Sequence, residues 1–146
     1  MIQRKQTIYL LLAVVLLVVS CFMPLGYFME ASGATTTSLK PFSSVSWQLG
    51  ALLSLSALVD LVAIFLFRKH QVMMQVRMCV FALLLIVGYY VSLAVLLFAG
   101  TKPEVLSEFH VSMFLAFPLC AFVLTVMARG AINKDINAYK SMDRIR

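Results

Sequence analysis

The chain has 146 residues, of which 62% are hydrophobic and 12% are charged. Its mean hydropathy is +0.98, which is too apolar for a core wrapped in a water-exposed polar surface, and its length fits one domain. A net charge of +6 would suit a nucleic-acid partner. The basic residues instead stand at the ends of apolar runs and form no continuous patch, so we expect no nucleic-acid binding.

The first apolar run predicts a membrane span over residues 6–29, preceded by the basic pair Arg4 and Lys5. A cleaved signal peptide is an alternative, because such peptides also begin with basic residues before an apolar stretch. A lipoprotein signal cleaved before Cys21 also fits the preceding residues. The four residues after Cys21 are apolar, however, where a lipoprotein normally begins a polar linker, and we therefore favour a span.

A polar connection over residues 30–46, rich in Ser and Thr, is expected to be a solvent-exposed loop. The second span, residues 48–67, has about the 20 residues that cross the hydrocarbon core. It contains one carboxylate, Asp60, which shares a helix face with Ser56 and other small residues. The face predicts that Asp60 points toward other helices, where it is protonated, hydrogen-bonded or hydrated.

The third span is predicted over residues 73–99, and the short connection before it indicates an antiparallel hairpin with the second span. Gly88, Ser92 and Ala99 form a small-residue face that suits close helix packing. Tyr89 lies at mid-depth, where its hydroxyl group needs a partner.

The fourth span is predicted over residues 109–128, with Pro118 near its middle as an expected kink. His110, a lone histidine near its start, is interpreted as an interfacial polar residue. The tail, residues 129–146, has apolar residues at helical spacing. Basic residues flank this stripe and predict a short cytoplasmic amphipathic helix that docks on anionic lipid or on a partner. The residues assigned to this docking are Ile132, Lys134, Ile136, Tyr139, Lys140, Arg144 and Arg146. A solvated extension of the fourth span is the alternative.

Charge predicts the orientation of the spans. Ten of the 12 Lys and Arg residues lie at the termini, between the second and third spans or, for Arg77, near the start of the third span. Only Lys40 and Lys102 lie in the other two connections. Basic residues accumulate on the cytoplasmic side of membrane proteins. We therefore expect an all-α bundle of four antiparallel transmembrane helices with both termini cytoplasmic.

No arrangement of residues predicts an enzyme, a metal site or a cofactor. The three cysteines, Cys21, Cys79 and Cys120, have no paired spacing and are interpreted as small core residues rather than disulfide or zinc ligands. Apart from cysteine and tyrosine, Asp60 is the only ionisable side chain expected inside the membrane, because Arg77 and His110 lie near the ends of their predicted spans. Acid–base and nucleophilic catalysis need paired groups.

Two functions remain open from these residues. The first is a structural or accessory subunit that binds other membrane proteins, lipid or a second copy of itself. The alternative is a proton or small-solute pathway in an oligomer, which would use Asp60, Ser56, Tyr89 and Cys120 or Thr125.

Three sequence blocks resemble a known family. They are MIQRKQTIYLLLA at the start, the Met73, Gln75, Arg77 and Cys79 pattern, and ARGAINKDINAYKSMDRIR at the end. Together with the spacing of the spans they resemble the four-helix membrane proteins of Bacteroidota grouped as domain-of-unknown-function family 4293. The resemblance implies a four-span fold in a bacterial inner membrane, and it implies no activity, ligand or catalytic residue.

Overall fold

A computed structural model describes residues 3–29, 36–43, 46–67, 72–100 and 109–143. Within these ranges the chain forms four α-helices, three short strands and one 3₁₀ turn. The elements in chain order are α1 (Gln3–Phe22), β1 (Gly26–Met29), β2 (Thr36–Leu39), α2 (Trp47–Phe67), α3 (Val72–Gly100), β3 (Phe109–Val111), the 3₁₀ turn (Met113–Leu115) and α4 (Ala116–Asp143). The prediction of a predominantly helical fold is confirmed.

The four helices pack into one bundle. Helix α1 lies against α2 and α4, and α3 lies against the same two helices. Buried residues recur at alternating spacings of three and four, as in Gln75, Cys79, Ala82, Ile86 and Tyr89 of α3. This spacing keeps one seam of each helix facing its neighbours along its length.

The buried seam is divided into two apolar clusters. The first cluster has members from all four helices and from the segments around the strands, including Leu17, Leu53, Ile86 and Ala121. The second cluster lies toward the first residues of α1 and α3. Its buried members are Leu10, Ala63, Cys79, Ala128 and Ile132.

The outward faces of all four helices carry large apolar side chains. Exposed examples are Leu11 on α1, Phe65 on α2, Leu84 on α3 and Val123 on α4. Three described helical segments are long and apolar enough to cross a membrane, and a shorter apolar helix covers Gln6–Phe22. The three long segments are Trp47–Leu66, Met73–Phe98 and Met113–Ala138.

A small antiparallel sheet lies at one end of the bundle, with the strand order β2-β1-β3. Gly26 is opposite Leu39 on one side and Val111 on the other. The backbone of the buried Leu25 extends both pairings, because its N–H donates to Leu39 O at 2.8 Å and its carbonyl accepts from Ser112 N at 3.0 Å.

The sheet corrects two predicted boundaries. The first span was expected to continue to residue 29 and the fourth to begin at residue 109, but both of these segments are strands. The helical part of the first segment ends at Phe22, just before Pro24, which supplies no backbone N–H to continue a helix. The connection predicted as a loop contains β2, and its residues 30–35 and 44–45 lie outside the described part of the chain.

Helix α4 also differs from its prediction. It is one helix from Ala116 to Asp143, rather than a span followed by a separate short helix. Pro118, expected to kink the middle of a span, lies in the first turn, where a missing backbone N–H is tolerated. The prediction of a mid-helix kink at this residue is therefore wrong.

The tail portion of α4 packs on the bundle itself. Ile132 is fully buried in the second cluster and Ile136 packs against that cluster. Gln6 Nε2 of α1 donates a hydrogen bond to Asp135 Oδ2 of α4. Ile132 therefore faces the chain's own helices, and Ile136 packs partly against them.

Candidate functional site: the buried polar centre

A polar layer separates the two apolar clusters. It consists of Ser56 and Asp60 of α2 and Thr125 of α4, which we call the polar centre, and all three residues have 0% exposure. On α4, Ala121 belongs to the first cluster and Ala128 to the second. Thr125 therefore occupies the level between the clusters.

Helical periodicity explains why these side chains meet. Ser56 and Asp60 are four residues apart, so they share one face of α2. The residues that flank them on this face are small, Ala57 in the first cluster and Ala63 in the second. Small neighbours leave room in which a short polar side chain can reach across the bundle.

The hydroxyl group of Thr125 lies near two acceptors. It is 2.9 Å from the carbonyl oxygen of Ala121 in its own helix and 3.5 Å from Asp60 Oδ2. A hydroxyl group has a single hydrogen, and the shorter contact indicates that it donates to Ala121. The contact with Asp60 is at the outer limit of a hydrogen bond.

A neutral Asp60 fits this geometry better than an ionised one. A protonated carboxyl group donates to the Thr125 oxygen while Thr125 donates to Ala121, so both polar groups are bonded. Among the described residues, Thr125 is the one side chain that bonds to the Asp60 carboxyl group. An unpaired buried charge is far more costly than a buried neutral acid.

Four buried polar atoms have no hydrogen-bond partner within the part of the chain that the structure describes. They are Ser56 Oγ, Asp60 Oδ1, Gln75 Oε1 and Tyr89 OH, all on α2 or α3. A buried polar atom without a partner costs about 1–3 kcal/mol, so natural proteins have few of them. All four atoms belong to α2 or α3, so the unpaired polar atoms of the described bundle are concentrated on this helix pair.

The structure brings together part of the predicted site. Asp60 and Thr125 meet, whereas Tyr89 belongs to the first apolar cluster. The Tyr89 ring contacts Tyr90 edge-on, with 5.1 Å between the ring centroids. Tyr90, in turn, donates its hydroxyl hydrogen to Leu115 O at 2.9 Å.

Two glutamines were not predicted as buried. Gln75 has 1% exposure and Gln6 has 2%, although both lie at the start of apolar runs. The spacing of α3 contains a signal for Gln75, because counting back from Tyr89 in steps of three and four reaches it. No comparable signal predicts the bond between Gln6 and Asp135, which are 129 residues apart.

The cysteines divide into two kinds of environment. Cys21 and Cys79 are buried and free, as expected of small core residues, whereas Cys120 is free and exposed. The prediction that Cys120 is a core residue is therefore wrong. Among the described residues, no group of three or more His, Cys, Asp or Glu side chains is arranged to hold a metal ion.

The burial of Cys21 also bears on the lipoprotein alternative. Helix α1 continues through Cys21 to Phe22, and Cys21 packs in the first cluster. Cleavage before this residue would remove a helix that supplies Leu10 and Leu17 to the core. The structure therefore favours an intact first helix.

The predicted tail site is only partly described. Lys134 is exposed on α4, while Ile132 is buried as stated above. Tyr139 and Lys140 lie in the backbone of α4, but their side chains are outside the described residues, and Arg144 and Arg146 are outside them altogether.

Comparison with known proteins gives one match, to a protein family. No curated protein and no solved structure matches the chain. Residues 2–145 match the DUF4293 family, which is defined by a domain of unknown function. The resemblance seen in the three sequence blocks is thereby confirmed, and the chain belongs to the DUF4293 family.

Proposed function

We propose that this chain is a non-enzymatic inner-membrane protein that acts as a structural or accessory subunit for other membrane proteins or lipid. The observation that carries the proposal is the distribution of side chains. Large apolar residues cover the outer face of all four helices, while Ser56, Asp60 and Thr125 are buried. A soluble protein has the opposite distribution, and lipid is the solvent that suits this one.

The proposed topology has four antiparallel spans with both termini in the cytoplasm. The apolar part of α1, Gln6–Phe22, is about 26 Å long, at the short end of the lengths that cross the hydrocarbon core. The sheet formed by β1, β2 and β3 is then at the outer surface. Exposed Arg77, Arg129 and Lys134 lie at the inner surface, in agreement with the positive-inside rule.

An open small-residue face supports a partner within the membrane. An added methyl group at Gly88 would meet no atom within 4 Å, so no helix of the described chain packs closely there. Small residues allow helices from two proteins to approach each other. We propose that a second membrane protein or a second copy of this chain packs at Gly88.

Crosslinking in the native membrane tests the proposal. The tagged full-length protein should form discrete crosslinked species that also co-purify in mild detergent. Gly88→Leu, which adds bulk to the open face, should reduce them, whereas the matched variant Val87→Leu at an exposed neighbouring position should not. Purification as a single species without crosslinked products would contradict the subunit role.

The alternative is a proton or small-solute pathway through the polar centre in an oligomer. It is favoured by the buried Asp60 and by the unpartnered polar atoms of Ser56, Gln75 and Tyr89 along the same two helices. Asp60→Asn keeps the shape of the side chain but cannot exchange a carboxyl proton. Loss of proteoliposome flux in this variant would support a pathway, and unchanged flux would remove it.

A further inference from the structure

A second polar feature lies apart from the polar centre, in a groove between α3 and α4. The groove has a volume of about 400 Å³, within the usual range for sites that bind small molecules. We call it the inner groove. Its lining residues are Met73, Val76, Arg77, Asn133, Ile136 and Asn137.

The lining has two chemically different parts. Arg77, Asn133 and Asn137 are exposed and provide N–H donors, and no carboxylate is among the lining residues that the structure describes. A guanidinium group is the side chain best suited to bind phosphate through two hydrogen bonds. Met73, Val76 and Ile136 supply an apolar floor. A ligand that fits has an anionic group for the donors and an apolar part that contacts the floor.

The groove lies where the exterior of the bundle changes from apolar to polar. On α4 the exposed residues change from Val126 and Met127 to Arg129, Asn133 and Lys134. Arg77 precedes the exposed Phe81 of α3 by four residues, or about 6 Å along the helix. The donors are therefore at headgroup depth, next to the end of the hydrocarbon layer.

We infer that the inner groove binds the headgroup of an anionic phospholipid from the cytoplasmic leaflet. The phosphate pairs with Arg77, and the side-chain amides of Asn133 and Asn137 donate hydrogen bonds to phosphate or glycerol oxygens. The acyl chains extend from this phosphate along α3 past the exposed Phe81 into the hydrocarbon layer. Basic pockets between helices on the cytoplasmic side are known to select such lipids. The inference rests on the proposed membrane topology and gives its inner surface a defined lipid site.

Lipid retention by the full-length protein tests this site. Phosphatidylglycerol is titrated into protein in mild detergent at about 0.5 M salt, where general surface attraction is largely screened, and bound lipid is counted by native mass spectrometry. Arg77→Gln should weaken retention about fivefold or more. Lys134→Gln removes an exposed cation that does not line the groove, and it should leave retention unchanged.

Further retention measurements with other lipids and anions identify the ligand. Phosphatidylcholine has the same phosphate but a cationic headgroup, so Arg77→Gln should weaken its retention less than that of phosphatidylglycerol. Millimolar inorganic phosphate should not displace phosphatidylglycerol. Displacement by phosphate would show a general anion site and overturn the lipid assignment. Asn137→Leu, at an exposed position, should also weaken the retention of phosphatidylglycerol. This variant replaces Arg77→Gln in the test if Arg77→Gln does not fold.

The outcomes separate this inference from the proposed function. Recovery of the chain as a soluble protein without detergent would remove both. If the protein inserts into membranes but Arg77→Gln retains phosphatidylglycerol as well as the natural protein does, only the groove assignment fails. Equal losses in Arg77→Gln and Lys134→Gln would also overturn it, because they would indicate unspecific charge attraction.

Discussion

Thr125 has one hydroxyl hydrogen and two acceptors within reach, and this competition limits what the residue contributes to stability. The contact with Ala121 is 0.6 Å shorter than the contact with Asp60, as the 2.9 and 3.5 Å distances show. The bundle therefore gains little from Thr125 as a donor to the acid. It gains more if Asp60 is neutral and Thr125 is the acceptor.

Removal of the Thr125 hydroxyl group should accordingly have a small effect. We expect Thr125→Val, which has nearly the same shape, to lower the free energy of unfolding in detergent by about 0.6 kcal/mol, the average for hydrogen bonds between membrane helices. Thr125→Ser keeps the hydroxyl group and is the control. A larger loss in the serine variant would show that the methyl group, not the hydrogen bond, stabilises this position.

Residue-scale prediction from sequence succeeded where one helix face was enough. The polar face of α2 predicted that Asp60 points into the bundle, and Asp60 is indeed buried. The burial of Gln75 and the exposure of Cys120 were not predicted, because the sequence does not show which face of each helix packs against its neighbours. Apolar residues surround both seams and outer faces in a membrane-type helix, so hydropathy alone does not distinguish them.

At the scale of elements, the sheet depends on Leu25. Its side chain has 1% exposure and its backbone bonds to the segments on both sides. Leu25→Ala should lower the free energy of unfolding by about 2–5 kcal/mol, as for other buried leucines. Val111→Ala, at a position that is 64% exposed, should change it by about 0.5 kcal/mol or less. If thermal unfolding showed similar losses of stability in Leu25→Ala and Val111→Ala, the burial of Leu25 would be contradicted.

The end of α4 provides a second test of an element. Ile132→Ala removes a fully buried side chain and should cost about 2–5 kcal/mol. Lys134→Ala changes an exposed residue two positions away and should be nearly neutral. If the isoleucine docked only on lipid, its replacement would leave the unfolding temperature in detergent unchanged and weaken vesicle binding instead.

The helices were predictable from length and hydropathy, but their ends were not. The apolar residues between Phe22 and Met29 have the composition of a span, yet Pro24 and the pairing with the nearby β2 and the distant β3 make them β structure. Strand pairing between segments more than 80 residues apart leaves no local pattern in three- or four-residue strands. The tail of α4 had the correct helical periodicity, but the sequence did not show which surface its apolar stripe covers.

For the whole molecule, the distribution of charge predicts which end of the bundle is cytoplasmic. Lys40 and Lys134 are both exposed and should lie on opposite sides of the membrane. In a variant whose three natural cysteines are alanine, Lys40→Cys should react with an impermeant maleimide on intact spheroplasts. Lys134→Cys should react only after permeabilisation. The reverse pattern of labelling would invert the proposed topology and place the inner groove in the other leaflet.

The pairing of β1 with β3 has a consequence for motion. Strand β1 directly follows α1, and β3 directly precedes the turn that begins α4, so backbone hydrogen bonds join these two helices at one end. At the opposite end they are held by the side-chain bond from Gln6 to Asp135 and by apolar contacts. We therefore expect any separation of α1 from α4 to begin at the Gln6 end. The paired strands would hold the other end fixed, so the two helices would part toward the inner leaflet in the proposed topology.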